Sequence, residues 1–207
     1  KSLKFRYEAQ FLAGLNAYRF SRSNWIQSGA KSPYEFEVAN KYAVAARVDN
    51  YSIPGLRIGL SGYYGKAMGN TTPLDTQHKN IKGNVYVGAL DFTYNKYNWK
   101  IRGNVDYGYV SDATAITSIV YPGTANVKPN ESGSGKYFGS HAIATMVEAG
   151  YDVFSQISKL REDNQKLYVF GHFEYYDSSV HNTTAKWTNR KIVAASSGNM
   201  TFSSTFK

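Results

Sequence analysis

Along much of this chain apolar and polar residues alternate one by one. In residues 3 to 15, Leu3, Phe5, Tyr7, Ala9, Phe11 and Ala13 share one parity, against Lys4, Arg6, Glu8 and Gln10. Residues 42 to 49 set Tyr42, Val44, Ala46 and Val48 against Arg47 and Asp49. Residues 56 to 65 set Leu56, Ile58, Leu60 and Tyr64 against Arg57, Ser61 and Tyr63. The same holds in 86 to 95, where Tyr86, Leu90, Phe92 and Tyr94 oppose Asp91, Thr93 and Asn95. In 97 to 109, Trp99, Ile101, Val105, Tyr107 and Tyr109 oppose Lys100, Arg102, Asn104 and Asp106. Residues 141 to 153 and 166 to 177 repeat the pattern, with Glu148 and Asp152, then His172 and Glu174, on the polar side. Weaker candidates lie at 189 to 195 and 200 to 206. A period of two places successive side chains on opposite faces of a β-strand, so the chain reads as all-β, with about eight or nine legible strands.

The connections fall into two classes. Residues 49 to 55 and 95 to 98 are short and carry the Asn, Pro and Gly of tight turns. Residues 155 to 165 are somewhat longer, with room for a helical turn. Between these lie long polar stretches at 16–33, 66–83, 110–137 and 177–186. Short and long connections alternate strictly, as they do in outer-membrane barrels, whose short turns face one side and long loops the other.

Alternation alone does not say what the apolar face meets. Composition narrows it. The chain is polar on average, with mean hydropathy −0.46, yet 15% of its 207 residues are aromatic, 18 of them Tyr. Tyr and Trp gather where one end of a ring is dry and the other wet, as at membrane interfaces. No run approaches the ~18 consecutive apolar residues of a membrane helix, so a span would have to be made of strands. Strands with open edges leave amides unsatisfied in lipid and therefore close into a ring. The expectation is a single domain, 1–207, forming a transmembrane antiparallel β-barrel or part of one. Tyr42, Tyr64, Tyr94, Trp99, Tyr151 and Tyr175 are the girdle candidates. A barrel of eight strands has a filled interior, whereas a channel needs about sixteen, so the expectation is part of a longer barrel. The first ten residues already read as strand, which fits a mature chain or a piece cut from a longer one.

Three stretches together resemble the outer-membrane porins of Bacteroides-type bacteria, a group similar to the phosphate-selective porins O and P. They are VDNYSIPGLRIGLSGYYGKA, GALDFTYNKYNWKIRGNVDYGYV and VEAGYDVFSQISKLREDNQKLYVFGHFEYYDS. The resemblance covers roughly residues 40 to 178 and implies a passive channel in a Gram-negative outer membrane, a barrel of about sixteen to eighteen strands, and a trimer. After about Arg190 the chain departs from the regular hairpin expected there. No local motif matches the family's phosphate-binding arginine ladder, so phosphate preference does not carry over.

If the long loops are external, Lys4, Arg6, Arg47, Arg57, Lys100 and Arg102 gather near the short-turn mouth of the polar face. A basic ring would favour anions, and guanidinium forks suit phosphate or carboxylate oxygens. Against this stand Glu8, Asp49, Asp91, Asp106, Glu148, Asp152 and Glu174 on the same face. Opposite charges on neighbouring strands often simply pair, and the near balance of signs then predicts weak selectivity. Much of the formal charge of +9 sits in loops and turns.

Other chemistries find little support. There are no cysteines, hence neither disulfides nor thiolate metal sites. ESGSGKY (131 to 137) fails the phosphate-loop spacing and reads as external loop. His172 and Glu174 share a face but His181 falls in a predicted loop, so no metal site is expected. The Asn-x-Ser/Thr triplets at Asn70 and Asn182 carry no weight outside a secretory context. No nucleophile–base pair announces itself, so neither enzyme nor cofactor is expected. Nucleic-acid binding needs rings and cations on one surface, and here they oppose each other. Two rivals to a diffusion channel are an accessory, non-conducting barrel that binds partners in a membrane assembly, and a soluble β-protein that binds sugar or lipid.

Overall fold

Alternation resolves into seven antiparallel strands of one sheet: β1 (Phe5–Ala13), β2 (Tyr42–Ile53), β3 (Leu56–Lys66), β4 (Asn84–Lys96), β5 (Trp99–Val110), β6 (His141–Asp152) and β7 (Tyr168–His181). Each strand pairs with its sequence neighbours, in the order β1 to β7. The computed structural model describes residues 3–21, 24–30, 40–70, 78–120 and 139–181. The weak strand candidates at 189–195 and 200–206, the ESGSGKY stretch and Asn182 lie outside these. Among the described residues seven of the eight or nine expected strands form, and there the sheet does not close: β1 and β7 each have one unpaired edge.

The tight connections follow from local geometry. β2 turns into β3 through Pro54 and Gly55, with Ile53 opposite Leu56. β4 turns into β5 through Tyr97 and Asn98, both at positive φ (53° and 67°). Two consecutive left-handed residues make the turn whose twist matches that of the flanking strands. The β6–β7 connection does hold a helical turn: a 3-10 segment at Val153–Gln156 leads into the short helix α2 (Ser158–Glu162). Strand β7 runs to His181, so 177–181 belong to a strand rather than to the predicted loop.

The loops at the other end are not simply polar. The stretch 110–137 contains a second helix, α1 (Ala113–Val120), whose Ala113, Ile116 and Thr117 are buried. Ala113 and Ile116 join Ala17, Phe20, Trp25, Ala67 and Met68 from the other two long connections in one apolar cluster. The cluster sits on Val85, Val110 and Ala142, on the same face as the charged residues but nearer the long loops. Polar groups lace it together. The Trp25 indole N–H donates to the Gly139 carbonyl at 2.8 Å. Asp112 Oδ2 accepts from the Lys82 and Gly83 amides. The Asn70 side chain donates to the Gly14 carbonyl and accepts from the Lys41 amide.

Gly108 makes this packing possible, because the Trp25 ring rests where a β-carbon would stand. In a close-packed interior one added methyl forces neighbours off their rotamers. Gly108→Ala is expected to dislodge Trp25 and cost about 1–3 kcal/mol. A lower chemical-unfolding midpoint and red-shifted Trp emission would register it; an unchanged midpoint would mean the loops are not seated on the sheet.

Candidate functional site

Which face is covered distinguishes this sheet. In β2 the apolar parity (Tyr42, Val44, Ala46, Val48) is exposed, while Ala43 and Asp49 on the polar parity are buried. Leu60 and Leu90 are 62% and 52% exposed, although each has strands on both sides; Asp49 is 6% exposed. Register joins the residues of this parity into continuous rows. One runs Tyr7, Val48, Leu60, Leu90, Val105, Thr145, Tyr175, and the next Phe5, Asn50, Ile58, Phe92, Gly103, Val147, Phe173. The Thr145 hydroxyl in the first row donates to the Asn104 carbonyl at 2.9 Å and so presents little polarity.

Aromatic rings bracket this face. Toward the long loops, Tyr64 meets Tyr86 (5.0 Å between centroids), Tyr86 meets Tyr109 (6.0 Å) and Tyr109 meets His141 (4.8 Å). Tyr42 stacks on Phe11 at 5.2 Å. Toward the short turns, Trp99 meets Tyr151 at 4.8 Å, and Tyr94 pairs with Leu56 and Ile101 one row in. Tyr175, expected with the girdle, instead sits midway along β7. Tyr86, Tyr109 and Phe11 join the belt without having been singled out, although their parity was legible. Trp99 and Tyr109 stand ten residues apart on β5. That is ~33 Å along a strand, or ~25 Å if the strand tilts ~40°, the height of a lipid-facing band.

On the polar face the charges pair. Arg47 forks onto Asp49 (Nε–Oδ2 3.0 Å, Nη2–Oδ1 2.7 Å) and reaches Asp91 at 2.9 Å. Arg57 bridges the same two carboxylates, at 2.8 Å to Asp49 and 2.5 Å to Asp91. The result is a neutral quartet drawn from three strands. It lies over Gly59, which stands between Asp49 and Asp91 in register. A β-carbon there would meet the Arg47 guanidinium and come within 2.7 Å of an oxygen of each aspartate.

The other predicted wall residues are similarly engaged. Arg102 holds Glu148 at 2.9 Å, and His172 lies 3.6 Å from Glu148 and 3.5 Å from Glu174. Arg6 faces Glu8 at 3.7 Å, and Asp106 accepts from the Asn104 amide at 2.5 Å. The Lys100 ammonium sits 4.5 Å above the Tyr168 ring. Lys4 is exposed at the start of the chain's first strand, its backbone tied to Tyr51 and Ser52. Asp152, expected on the wall, is buried and caps the β6–β7 turn: its Oδ1 accepts from the Phe154 and Leu167 amides. Among the described residues no group of His, Cys, Asp and Glu is placed to hold a metal ion.

Gly59→Ala should pry the quartet apart. Separating hydrogen-bonded charges that share partners is expected to lower stability by about 1–3 kcal/mol. Gly62→Ala, whose β-carbon would find only the Val87 carbonyl at 3.9 Å, serves as the control. Equal unfolding midpoints for the two variants would show that the quartet does not hold the wall.

No family model, no curated protein and no solved structure matches the chain.

Proposed function

We propose that this chain forms wall of a transmembrane β-barrel in a Gram-negative outer membrane, and that the barrel is a porin-like channel for small hydrophilic solutes. One observation carries the reading: along β2, β3, β4 and the long-loop half of β5 the apolar parity is the more exposed one, while the polar parity is largely half-buried or buried under loops and its own ion pairs. A soluble protein rarely exposes more than a few hundred Å² of contiguous apolar surface. Lipid would cover this face, and the aromatic belts would sit at its two interfaces. The reading requires the free edges of β1 and β7 to pair with further strands, because unpaired amides are costly in hydrocarbon.

Selectivity follows from the pairing of charges. A guanidinium already forked onto two carboxylates offers little to a passing anion, so the wall discriminates weakly. A second reading, a non-conducting accessory barrel, draws on the apolar loop cluster, which occupies part of the same face as the charges.

Three measurements test this. Leu90→Arg, at mid-strand on the apolar face, is expected to cost about 2–4 kcal/mol in bilayers and to reduce yield of folded protein in vesicles; normal insertion would speak against a lipid-facing surface. Planar-bilayer recordings of the full-length protein should give steady ohmic steps with a reversal potential near zero in a KCl gradient. Silence from folded protein would favour the accessory barrel. Asp49→Asn with Asp91→Asn frees both guanidiniums and should shift the reversal potential toward anions, whereas Arg57→Glu with Arg102→Glu should shift it toward cations. Reversal potentials that do not move would remove these residues from the conducting path.

A further inference from the structure

Between the neutral quartet and the apolar loop cluster, the polar face of β1–β4 has a hollow of about 270 Å³. Two register rows build it. Glu8, Arg47, Ser61 and Ala89 form one; Gln10, Ala45, Tyr63 and Val87 form the other. Its floor is low because Ala45, Ser61 and Ala89 are small, while longer side chains stand around them.

The hollow is lined mostly by apolar surface, with a few hydrogen-bonding groups among it. The Arg47 guanidinium is held by Asp49 and Asp91. Glu8 accepts from the Gln10 amide at 2.7 Å and faces Arg6 at 3.7 Å. The Ser61 hydroxyl both donates and accepts, and the Gln10 carbonyl and Glu8 carboxylate accept. Val87, Ala45 and Ala89 supply apolar contact. An anion would meet acceptors, and a cation would meet a carboxylate already sharing Arg6. A ligand that fits lays the C–H face of a carbon skeleton on this apolar floor and turns hydroxyls toward the few acceptors beside it. The volume lies just under the ~300–1,000 Å³ of sites for larger ligands, which suits a small one.

We infer that this hollow is a subsite for a small uncharged polyhydroxylated solute of monosaccharide size. The inference rests on the channel reading for its biological sense but not for its test. Equilibrium dialysis of the detergent-solubilised full chain against labelled D-glucose, with inorganic phosphate in parallel, measures it directly. Saturable glucose binding that phosphate does not displace is expected. Ala89→Leu fills the floor and should weaken it about tenfold or more. Ser61→Ala adds no volume, removes one hydrogen bond and should weaken it about two- to tenfold. No saturable glucose binding, displacement by phosphate, or unchanged affinity in both variants overturns the subsite. Channel recording separates the two readings: a silent protein that binds glucose keeps the subsite and loses the channel, and a conducting protein that does not bind glucose does the reverse.

Discussion

A residue in a β-strand can face only one of two sides, and everything here depends on which side is left uncovered. Cross-strand pairing fixes the register, and register carries parity from one strand to the next without a slip of face. Leu60 on β3 therefore stands beside Val48 and Leu90, and Asp49 beside Gly59 and Asp91. Had the apolar rows been covered, the same strands would have made the wall of a soluble core. From β2 to β4 they are the barer side, and it is the charged side that is filled.

Two devices fill that side. The quartet of Arg47, Asp49, Arg57 and Asp91 links three strands through shared carboxylates over the bare backbone of Gly59. Partial burial strengthens such contacts, and mutual pairing cancels the charge that burial would otherwise penalise. Further along the strands small or apolar residues (Ala43, Gly65, Val85, Gly108, Val110) replace the charges, and the long connections pack Trp25, Phe20, Met68 and Ile116 against that part of the sheet. The wall is thus ionic toward the short turns and apolar toward the long loops. In the proposed channel, solutes would pass from one character to the other, with the small-residue hollow between them.

Much of the framework was legible. Strand positions agree with the alternation to within a few residues, and the Tyr97–Asn98 turn falls where the pattern breaks. The tight turns at 49–55 and 95–98 were also legible, as was a helical turn between β6 and β7. What failed was the reading of the loops as polar. Ala113, Ile116, Thr117 and Val120 recur at helical spacing inside a stretch read as loop, and that signal would have revealed α1. The seating of Trp25 on Gly108 left no such trace, because it joins residues 83 positions apart through shape alone.

The sequence by itself determined the two faces, since parity is local: every second residue points the same way whatever the strand pairs with. It also placed Arg47 and Asp49 on one face, two residues apart. Only the tertiary structure decided that both arginines are shared with Asp91, that Asp152 serves a turn rather than the wall, and that the loops fold onto the charged side. Those outcomes depend on inter-strand register and on packing between distant segments. Neither is set by the spacing of residues along one strand.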